Sequence, residues 1–411
     1  MPAPSIPLKE YAARRQQLLR RLDGAVGLVF AGDVSSHLPG PWRPHPNFEY
    51  LTGIADEPGA ALLLEPRNPN PARRAVLLLR PLNPEVEKWD GYRGEISAAL
   101  KKKYGFETIH RMDSLPRWLR LAAIRSKRLA LLHPPAMHTQ PITPDLEVFR
   151  KVVERIPGAS IVDQSDLLAS MRAKKSPAEI GMIRHAASIT ARGFEAALNT
   201  LRPGITEFDV QEAIEHAYKS HGSRGVGYGT IAGAGLNSTV LHYHANNQPL
   251  ADGDLICIDS AASYGGYTAD VTRTYPVNGR FTKRQRAIYD IVLKANLAAI
   301  ARTKAGATIA QIDKAARDVI TKAGYGDFFI HGIGHHVGLE VHDLTPVLDE
   351  RLPEGAVITI EPGIYIPDEK IGVRIEDDVV ATRRGPKVLT SGIVKRADDI
   401  EQAMARTRSR R

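Results

Sequence analysis

The chain has 411 residues, which is more than one ordinary domain holds, so two domains are the default expectation. Its composition, 43% hydrophobic and 25% charged residues, is typical of a globular enzyme, and no apolar run of about 18 residues predicts a membrane span. The formal net charge is +9, and the single cysteine, Cys257, excludes an internal disulfide and predicts a cytoplasmic protein.

The first predicted element is an amphipathic helix near the N-terminus. Its core-facing residues would be Tyr11, Leu18, Leu19 and Leu22. The same stretch is rich in arginine and poor in acidic residues, which also resembles a mitochondrial transit peptide. It has no apolar h-region, so the pattern does not favour secretion.

The segment that follows, to about Asp166, alternates apolar runs with polar helical patterns such as Gly94–Lys103. This alternation is typical of an α/β domain, and it contains no recognisable catalytic motif. The predicted strands are Ala25–Ala31, Ala60–Leu64, Ala75–Leu79 and Arg128–Leu132.

A strong helix start marks the second domain. Ser176-Pro177-Ala178-Glu179 combines a capping serine, a first-turn proline and a capping-box glutamate. The apolar face of this predicted helix consists of Ile180, Ile183, Ala187, Ala191, Phe194 and Leu198. We place the domain boundary between Asp166 and Ser176, which gives domains over residues 1–170 and 171–411.

The second domain contains an internal repeat with an offset of 102 residues. Leu250–Asp259 and Leu352–Glu361 each consist of an acid-Gly turn, a β-rich run and a final carboxylate. The same offset relates Thr206 to Thr308, and each threonine is predicted to open a helix. Two segments in one register predict a duplicated domain, whose halves would pack about a pseudo-twofold axis with their sheets forming one curved surface.

Two aspartates flank a predicted hairpin turn at Gly265-Gly266. A hairpin centred on this turn places Asp259 opposite Thr272. Because side chains alternate along a strand, Asp259 and Asp270 then share one face, about 7 Å apart or less. Two carboxylates this close on a half-buried sheet repel each other, so either one is protonated or cations lie between them.

The second repeat supplies a matching pair of carboxylates. Glu361 ends the predicted strand Val357–Ile360, and Val373–Glu376 is the predicted return strand, with Arg374 and Glu376 on one face. With the two halves related by a pseudo-twofold axis, both acidic pairs would converge on one site.

A histidine cluster lies between the two acidic pairs: His331, His335, His336 and His342. His331 and His335 have the spacing of a helical zinc site, but Gly332 and Gly334 argue against a helix and suggest backbone packed close to a ligand. A smaller cluster, in Leu241–His244, precedes the first acidic strand.

Four carboxylates and at least one imidazole form a donor set that suits two divalent cations. The oxygen-rich composition favours manganese, cobalt or iron over a structural zinc site. A pair of such ions lowers the pKa of a bridging water and polarises a carbonyl or phosphoryl oxygen, which predicts metal-assisted hydrolysis.

The ordered set Asp259, Asp270, His335, Glu361 and Glu376 resembles the dinuclear site of the pita-bread metallopeptidases, which include methionine aminopeptidase, prolidase and aminopeptidase P. The surrounding sequences IDSAASYGGYTADVTRTY, HGIGHHVGLEVHD, ITIEPGIYIP and VRIEDDVV are similar too. The resemblance implies an α/β (α+β) fold with a pita-bread catalytic domain of duplicated halves. It also implies that Asp259 binds one metal, that Asp270 and Glu376 bridge both, and that His335 and Glu361 bind the other.

The resemblance implies further roles for residues around the metals. Glu361 would also accept the proton of the attacking water. His242 and His342 would contact the substrate carbonyl and the leaving nitrogen. His331 would line the proline side of the pocket, and Arg374 would brace the metal-bound carboxylates.

The N-terminal sequences RPHPNFEYLTGIADEPGAALLL and KWDGYRGE resemble the non-catalytic domain of the Xaa-Pro aminopeptidases and prolidases. Methionine aminopeptidases lack this domain, and creatinase lacks the metal ligands. The resemblance therefore implies an aminopeptidase that removes the residue before a proline at position two, by attack of a metal-bridged hydroxide on the scissile carbonyl. The expected ions are two Mn²⁺, with Co²⁺, Fe²⁺ or Zn²⁺ as alternatives, and a homodimer or homotetramer is expected.

Three other functions stay open at this level. A prolidase would cleave only Xaa-Pro dipeptides, and a non-catalytic binding protein would keep the fold without the chemistry. The basic stretch Arg406–Arg411 could bind nucleic acid, although no aromatic-interleaved basic patch or zinc-finger spacing supports this. We therefore expect peptide substrates and no nucleic-acid or membrane partner.

Overall fold

The computed structural model describes residues 3–33, 42–346 and 351–408. The chain divides into two compact units, Ile6–Met171, and Arg172–Arg411 together with Met1–Ser5. Among the described residues, no helix is both long and apolar enough to cross a membrane. Residues 409–411 of the predicted basic stretch lie outside the described residues.

The first unit is a mixed α/β unit around one sheet. Its helices are Leu8–Arg21 (α1), Pro46–Thr52 (α2), Pro84–Asp90 (α3), Ala98–Tyr104 (α4), Leu115–Ser126 (α5) and Pro144–Val153 (α6). Its strands are Val26–Phe30 (β1), Ala61–Leu64 (β2), Ala75–Leu79 (β3), Thr108–Arg111 (β4), Arg128–Leu131 (β5) and Ser160–Asp163 (β6). The helix Asp166–Ala173 (α7) follows and includes the last residues of this unit.

The sheet of this unit has the strand order β4-β3-β2-β1-β5-β6. β1 pairs antiparallel with β2, and β2 pairs antiparallel with β3, whereas β4, β5 and β6 add parallel to their neighbours. The strands predicted from apolar runs are confirmed, and the predicted first helix is α1, with Leu18, Leu19 and Leu22 buried and Tyr11 only partly buried.

The helix predicted over Gly94–Lys103 is wrong at its start. The helix begins at Ala98, because Ser97 caps it by accepting a hydrogen bond from the N–H of Leu100. The helix α3, which precedes this segment, was not predicted.

The second unit carries the repeat. Its helices are Pro177–Thr200 (α8), Glu207–Ser220 (α9), Lys283–Arg302 (α10), Ile309–Lys322 (α11) and Ala397–Arg408 (α12). Its strands are Ile231–Ala234 (β7), Leu255–Asp259 (β8), Ser263–Tyr264 (β9), Tyr267–Thr268 (β10), Thr272–Pro276 (β11), Val357–Ile360 (β12), Gly363–Ile366 (β13), Ile371–Arg374 (β14), Asp377–Thr382 (β15) and Gly385–Val388 (β16).

The predicted repeat is confirmed in the helices and in the backbone. α9 and α11 have the same length and begin and end 102 residues apart, and Thr206 and Thr308 each form a capping box. The isolated bridges Thr206↔Pro249 and Thr308↔Arg351 repeat at the same offset. The two halves therefore share the same local structure before β8 and β12, the strands that lead to Asp259 and Glu361.

The predicted hairpin register is also confirmed. Thr272 pairs with Asp259, as expected from a turn centred on Gly265-Gly266. The two glycines have φ values of +53° and +83°, the left-handed backbone that a type I′ turn requires.

The strands of the two halves are not one continuous sheet. β7, β8 and β11 form one ladder, and β12, β15 and β16 form another. Hydrogen bonds from the Glu376 N–H to the Thr272 carbonyl and from the Arg374 N–H to Thr274 Oγ1 link β11 of the first half to residues 374–376 of the second. The predicted return strand Val373–Glu376 is interrupted, because β14 ends at Arg374 and β15 begins at Asp377.

Candidate metal centre

The predicted site residues surround a single cavity of about 380 Å³ in the second unit. Its lining includes all nine of them: His242, Asp259, Asp270, His331, His335, His342, Glu361, Arg374 and Glu376. Residues from both halves of the repeat meet there, because β11 runs beside residues 374–376.

The centre of the cavity is a cluster of carboxylates around one imidazole. One ligand atom from each of Asp270, His335 and Glu376 lies within 4.8 Å of the other two. His335 Nε2 lies 3.5 Å from Asp270 Oδ2 and 3.5 Å from Glu361 Oε1. Four of the five predicted ligands therefore face one small volume, and Asp259 lines the same cavity.

The carboxylates of this cluster repel one another. Burial, and then the negative charges of Asp259 and Glu361, raise the pKa of Asp270 well above its usual range. Burial and the charge of Asp270 raise the pKa of Glu376 in the same way. Burial and the charge of Asp259 raise the pKa of Glu361 to about 7. The protein's own residues thus leave negative charge in excess here.

The loop that carries His335 is built against β12. The N–H of Thr359 donates to the His335 carbonyl at 2.8 Å, and the N–H of Glu361 donates to the Ile333 carbonyl at 2.9 Å. Gly334 lies between them with φ +150°, where a Cβ would lie 2.2 Å from the Thr359 carbonyl oxygen. The predicted close backbone approach is therefore to a strand, and His331 and His335 do not share a helix.

His335 presents a lone pair to the carboxylates. Its Nδ1 lies 3.1 Å from the His336 carbonyl, which can only accept, so Nδ1 carries the hydrogen and Nε2 does not. Burial, as the largest cause, lowers the pKa of His335 to about 4. A neutral imidazole with a fixed tautomer is the form that binds a metal ion.

Arg374 connects three polar groups behind the cluster. Its Nη2 donates to Asp259 Oδ2 at 2.7 Å, its Nε to Thr272 Oγ1 at 3.0 Å and its Nη1 to the Tyr365 hydroxyl at 3.2 Å. Thr272 Oγ1 in turn donates to Glu376 Oε2 at 2.7 Å. A single guanidinium fork thereby orients carboxylates from both acidic pairs.

His331 is held in a second chain of hydrogen bonds. Its Nδ1 lies 2.8 Å from the Gly332 carbonyl and its Nε2 lies 2.8 Å from the Tyr365 hydroxyl. Because Nδ1 must donate, Nε2 accepts from Tyr365. Burial lowers the pKa of His331 to about 4, so it is neutral at pH 7.

Of the other four histidines in the two sequence clusters, three line the cavity and one is buried elsewhere. The ring of His342 lies 4.1 Å from that of His335, and His242 and His244 both line the cavity. His336 does not line this cavity; its side chain is buried, and burial lowers its pKa to about 3.

Three residues of the site were not predicted. The Tyr228 hydroxyl donates to Asp259 Oδ1 at 2.7 Å. Tyr365 joins His331 to Arg374, and Asp378 Oδ2 accepts from the N–H of Asp270 at 3.0 Å. The position of Asp378, two residues after Glu376, could have suggested that it lies near the site. Nothing in the sequence places Tyr228 beside Asp259.

The donor set fits divalent metal ions. Three buried or partly buried carboxylates and a neutral imidazole face one another, and Arg374 already pairs with Asp259. Burial and the mutual repulsion of the carboxylates raise the pKa values of Asp270, Glu361 and Glu376, so a bound cation would stabilise their ionised forms. Such a surplus of oxygen donors suits hard divalent cations.

Comparison with known proteins identifies the family. The model of metallopeptidase family M24 matches residues 181–383, and that of the aminopeptidase P N-terminal domain matches residues 11–130. The chain is 34% identical over 437 residues to a Xaa-Pro aminopeptidase from Haemophilus influenzae, covering 97% of this chain and 98% of that relative. The chain belongs to the M24 metallopeptidase family.

Solved structures agree with this assignment. The structure of Escherichia coli aminopeptidase P with the inhibitor Pro-Leu superposes with a TM-score of 0.87 at 32% identity, over 98% of this chain and all (100%) of that one. A Xaa-Pro dipeptidase from Pyrococcus furiosus is 41% identical over 228 residues, but the alignment covers 55% of this chain and 65% of that relative. The predicted fold, the predicted family and the predicted metallo-aminopeptidase function are confirmed.

Proposed function

We propose that this metallo-aminopeptidase removes the N-terminal residue from peptides whose second residue is proline. The observation that carries the proposal is the cavity in which Asp270, His335, Glu361 and Glu376 face one another, in a chain that aligns along its whole length with a Xaa-Pro aminopeptidase. In this proposal the N-terminal domain, residues 1–170, is non-catalytic, and the catalytic domain is residues 171–411.

The metal site of the proposal consists of Asp259, Asp270, His335, Glu361 and Glu376. The predominance of oxygen donors favours two Mn²⁺ ions, with Co²⁺, Fe²⁺ and Zn²⁺ as alternatives. When bound, the ions supply a water of lowered pKa and an electrophile for the scissile carbonyl. Asp259, fixed by Tyr228 and Arg374, would hold the ions together with Asp270, Glu376, His335 and Glu361.

The proton transfers fall to residues beside this cluster. Glu361, whose pKa burial raises to about 7, is suited to accept a proton from the attacking water and to pass it to the leaving nitrogen. Thr359 Oγ1, which contacts Glu361 Oε1 at 3.2 Å, fixes the orientation of this carboxylate. The substitution Glu361→Gln should therefore lower kcat far more than it raises KM.

The histidines of the cavity are proposed to orient the substrate. His242 and His342 would donate to the carbonyl oxygen, where negative charge develops during attack, and would contact the leaving nitrogen. His331, held by Tyr365, would line the proline side, and Arg374 would brace the carboxylates.

A prolidase is the second candidate. A Xaa-Pro dipeptidase from Pyrococcus furiosus is 41% identical to this chain, but the alignment covers 55% of it. The alignment with the Haemophilus influenzae aminopeptidase also covers the N-terminal domain, which favours the aminopeptidase. A homodimer or homotetramer, a cytoplasmic location and the absence of nucleic-acid and membrane partners stay predictions.

Side-by-side hydrolysis of Gly-Pro and of a longer Xaa-Pro peptide tests the proposal. The protein would be stripped with a chelator and resupplied with Mn²⁺. Release of the first residue from the longer peptide, dependent on metal, is the expected result. Cleavage of the dipeptide alone would assign a prolidase, and cleavage of neither peptide would contradict the proposal.

A further inference from the structure

The two glutamates of the second half lie in a break between paired strands. Ile360 pairs with Asp377, and Gly363 pairs with Arg374. Both pairs belong to one antiparallel register, which places Glu361 opposite Glu376 across the break. The backbone at this point fixes the separation of two carboxylates of the proposed metal site.

Pro362 causes part of this break. In the same register it stands opposite Ile375, whose N–H donates to the Pro362 carbonyl at 3.3 Å. An antiparallel pair of this kind exchanges two hydrogen bonds, but proline has no N–H to return. The Ile375 carbonyl, one residue before Glu376, therefore needs a donor from elsewhere.

Asn296 supplies that donor. Its Nδ2 donates to the Ile375 carbonyl at 3.1 Å and to the Ile360 carbonyl at 3.0 Å. These two carbonyls belong to the residues that immediately precede Glu376 and Glu361. One side-chain amide on α10, with no exposed surface, thus joins the two backbones at the point where the ladder fails.

The orientation of the Asn296 amide is fixed by a buried charge network. Lys395 Nζ donates to Asn296 Oδ1 at 2.9 Å and to Asp377 Oδ2 at 2.6 Å. Asp377 Oδ1 accepts from Arg273 Nη2 at 2.9 Å. Because a lysine can only donate, Oδ1 must face Lys395 and the NH₂ group must face the carbonyls.

The first half of the repeat provides an internal comparison. Ser260 occupies the position of Pro362, 102 residues earlier, and its N–H donates to the Val271 carbonyl at 3.1 Å. The helix position that corresponds to Asn296 is Phe194 on α8, a buried apolar residue. At this helix position an amide is present only in the half where proline has removed the backbone donor.

We propose that Asn296 is a positioning residue that replaces the missing N–H of Pro362 and thereby sets the separation of the Glu361 and Glu376 carboxylates. Asn296 does not line the cavity, so its effect on the metal site would pass through the backbone carbonyls of Ile360 and Ile375. The inference rests on the proposed metal site, and its test is a comparison of variants with the unmodified chain.

The test measures Mn²⁺ affinity by calorimetry, together with kcat and KM, for Asn296→Leu. Groups that orient metal ligands typically change metal affinity or activity by about 10- to 100-fold, and we expect a loss of this size with KM little changed. Gln285→Met is the matched control. Gln285 lies on the same helix, and its amide donates to the carbonyl of Gly253 at 2.8 Å, so this variant should lose stability but keep its Mn²⁺ affinity.

Restoring the backbone donor distinguishes positioning from packing. Pro362→Ala returns an N–H opposite Ile375, so adding it to Asn296→Leu should recover part of the lost Mn²⁺ affinity. Unchanged Mn²⁺ affinity in Asn296→Leu, or a further loss in the double variant, would overturn the inference.

Where Asn296→Leu does not fold, Asn296→Asp keeps the side-chain volume and the Lys395 contact but removes both donors. Failure of the unmodified chain to bind Mn²⁺ would instead reject the metal site itself.

Discussion

At the scale of single residues, the geometry of the site depends on the Arg374 guanidinium, which donates hydrogen bonds to several acceptors. Arg374 is 3% exposed and donates to Asp259, Thr272 and the Tyr365 hydroxyl from three different nitrogens. Breaking a buried ion pair leaves an uncompensated charge, which is costly. The shape of the guanidinium therefore matters here as much as its charge.

The substitution Arg374→Lys tests this point. An ammonium keeps the charge, but it is a compact group that does not reproduce the planar fork, so Asp259 and the Thr272–Glu376 contact cannot both be kept. We expect kcat to fall by about 10- to 100-fold, the range typical of groups that orient ligands. The measurement is steady-state hydrolysis of a Xaa-Pro peptide at saturating Mn²⁺. Wild-type kcat in this variant would show that charge alone is sufficient.

Two of the candidate ligands could be predicted from sequence because each ends or follows a short apolar run. Asp259 and Glu361 close repeat-related strands, and that shared context separated them from surface carboxylates. Tyr228 could not be predicted in this way. It reaches Asp259 from a segment 31 residues away along the chain, and only the packing of the two segments brings their side chains together.

At the scale of secondary-structure elements, the contact of the histidine loop with β12 sets the position of His335. Gly334 is the point of closest approach, since a Cβ there would overlap the Thr359 carbonyl oxygen. Gly332, two residues earlier, has open space around the equivalent position. The two glycines of one motif thus have different structural roles.

The pair Gly334→Ala and Gly332→Ala tests this difference. A Cβ at residue 334 must push the loop away from β12 in an unfavourable backbone conformation, so we expect a loss of stability of about 1–3 kcal/mol and weaker Mn²⁺ binding. The Gly332→Ala variant should stay close to the wild type in both properties. Denaturant unfolding and Mn²⁺ calorimetry measure the two effects, and equal behaviour of the variants would contradict the interpretation.

Element-scale prediction succeeded where a local signal determines the structure. The Gly265-Gly266 turn predicted the register of β8 and β11, and capping threonines predicted the starts of α9 and α11. The break between β14 and β15 could not be predicted. Pro362 lies on the opposite strand, and the loss of its N–H matters only once the two strands are paired.

At the scale of the whole molecule, the buried carboxyl groups of the site lower the stability of the folded protein when they are ionised and no cation neutralises them. The carboxyl groups of Asp270, Glu361, Glu376 and Asp378 have raised pKa values, mainly because they are buried. The native chain therefore binds more protons at these groups than the unfolded chain does. By linkage, their contribution to stability falls as pH rises above their unfolded values.

The buried histidines act in the opposite direction, but over a lower range of pH. The pKa values of His331 and His335 are lowered to about 4 and that of His336 to about 3, so their contribution to stability rises with pH only up to the unfolded value of about 6.5. Above about pH 7 the contribution of these histidines to stability no longer changes with pH. The carboxyl groups with raised pKa values continue to lower the stability as pH rises.

The metal-free protein should consequently lose stability between about pH 7 and pH 8. Mn²⁺ binds the ionised carboxylates and releases their protons, so its stabilising effect should be larger at pH 8 than at pH 7. Thermal unfolding with chelator and with Mn²⁺, at both pH values, measures this. A metal-free unfolding temperature that rises over this interval would contradict the assignment of the carboxylates.

The repeat made the architecture of the catalytic half predictable, because two segments in one register define equivalent strands and helices. The way in which the halves join could not be predicted. That join depends on hydrogen bonds between Thr272–Thr274 and Arg374–Glu376, which no sequence pattern marks, and the ladders of the two halves stay separate.

We propose that the buried carboxylate cluster binds divalent metal ions and that these ions are required for peptide cleavage. The most direct test is calorimetric titration of Mn²⁺ into the chelator-stripped protein, with cleavage of a Xaa-Pro peptide followed in parallel. We predict that two ions bind per chain and that cleavage recovers as they bind. Full cleavage without metal, or no Mn²⁺ binding by the folded protein, would contradict this proposal.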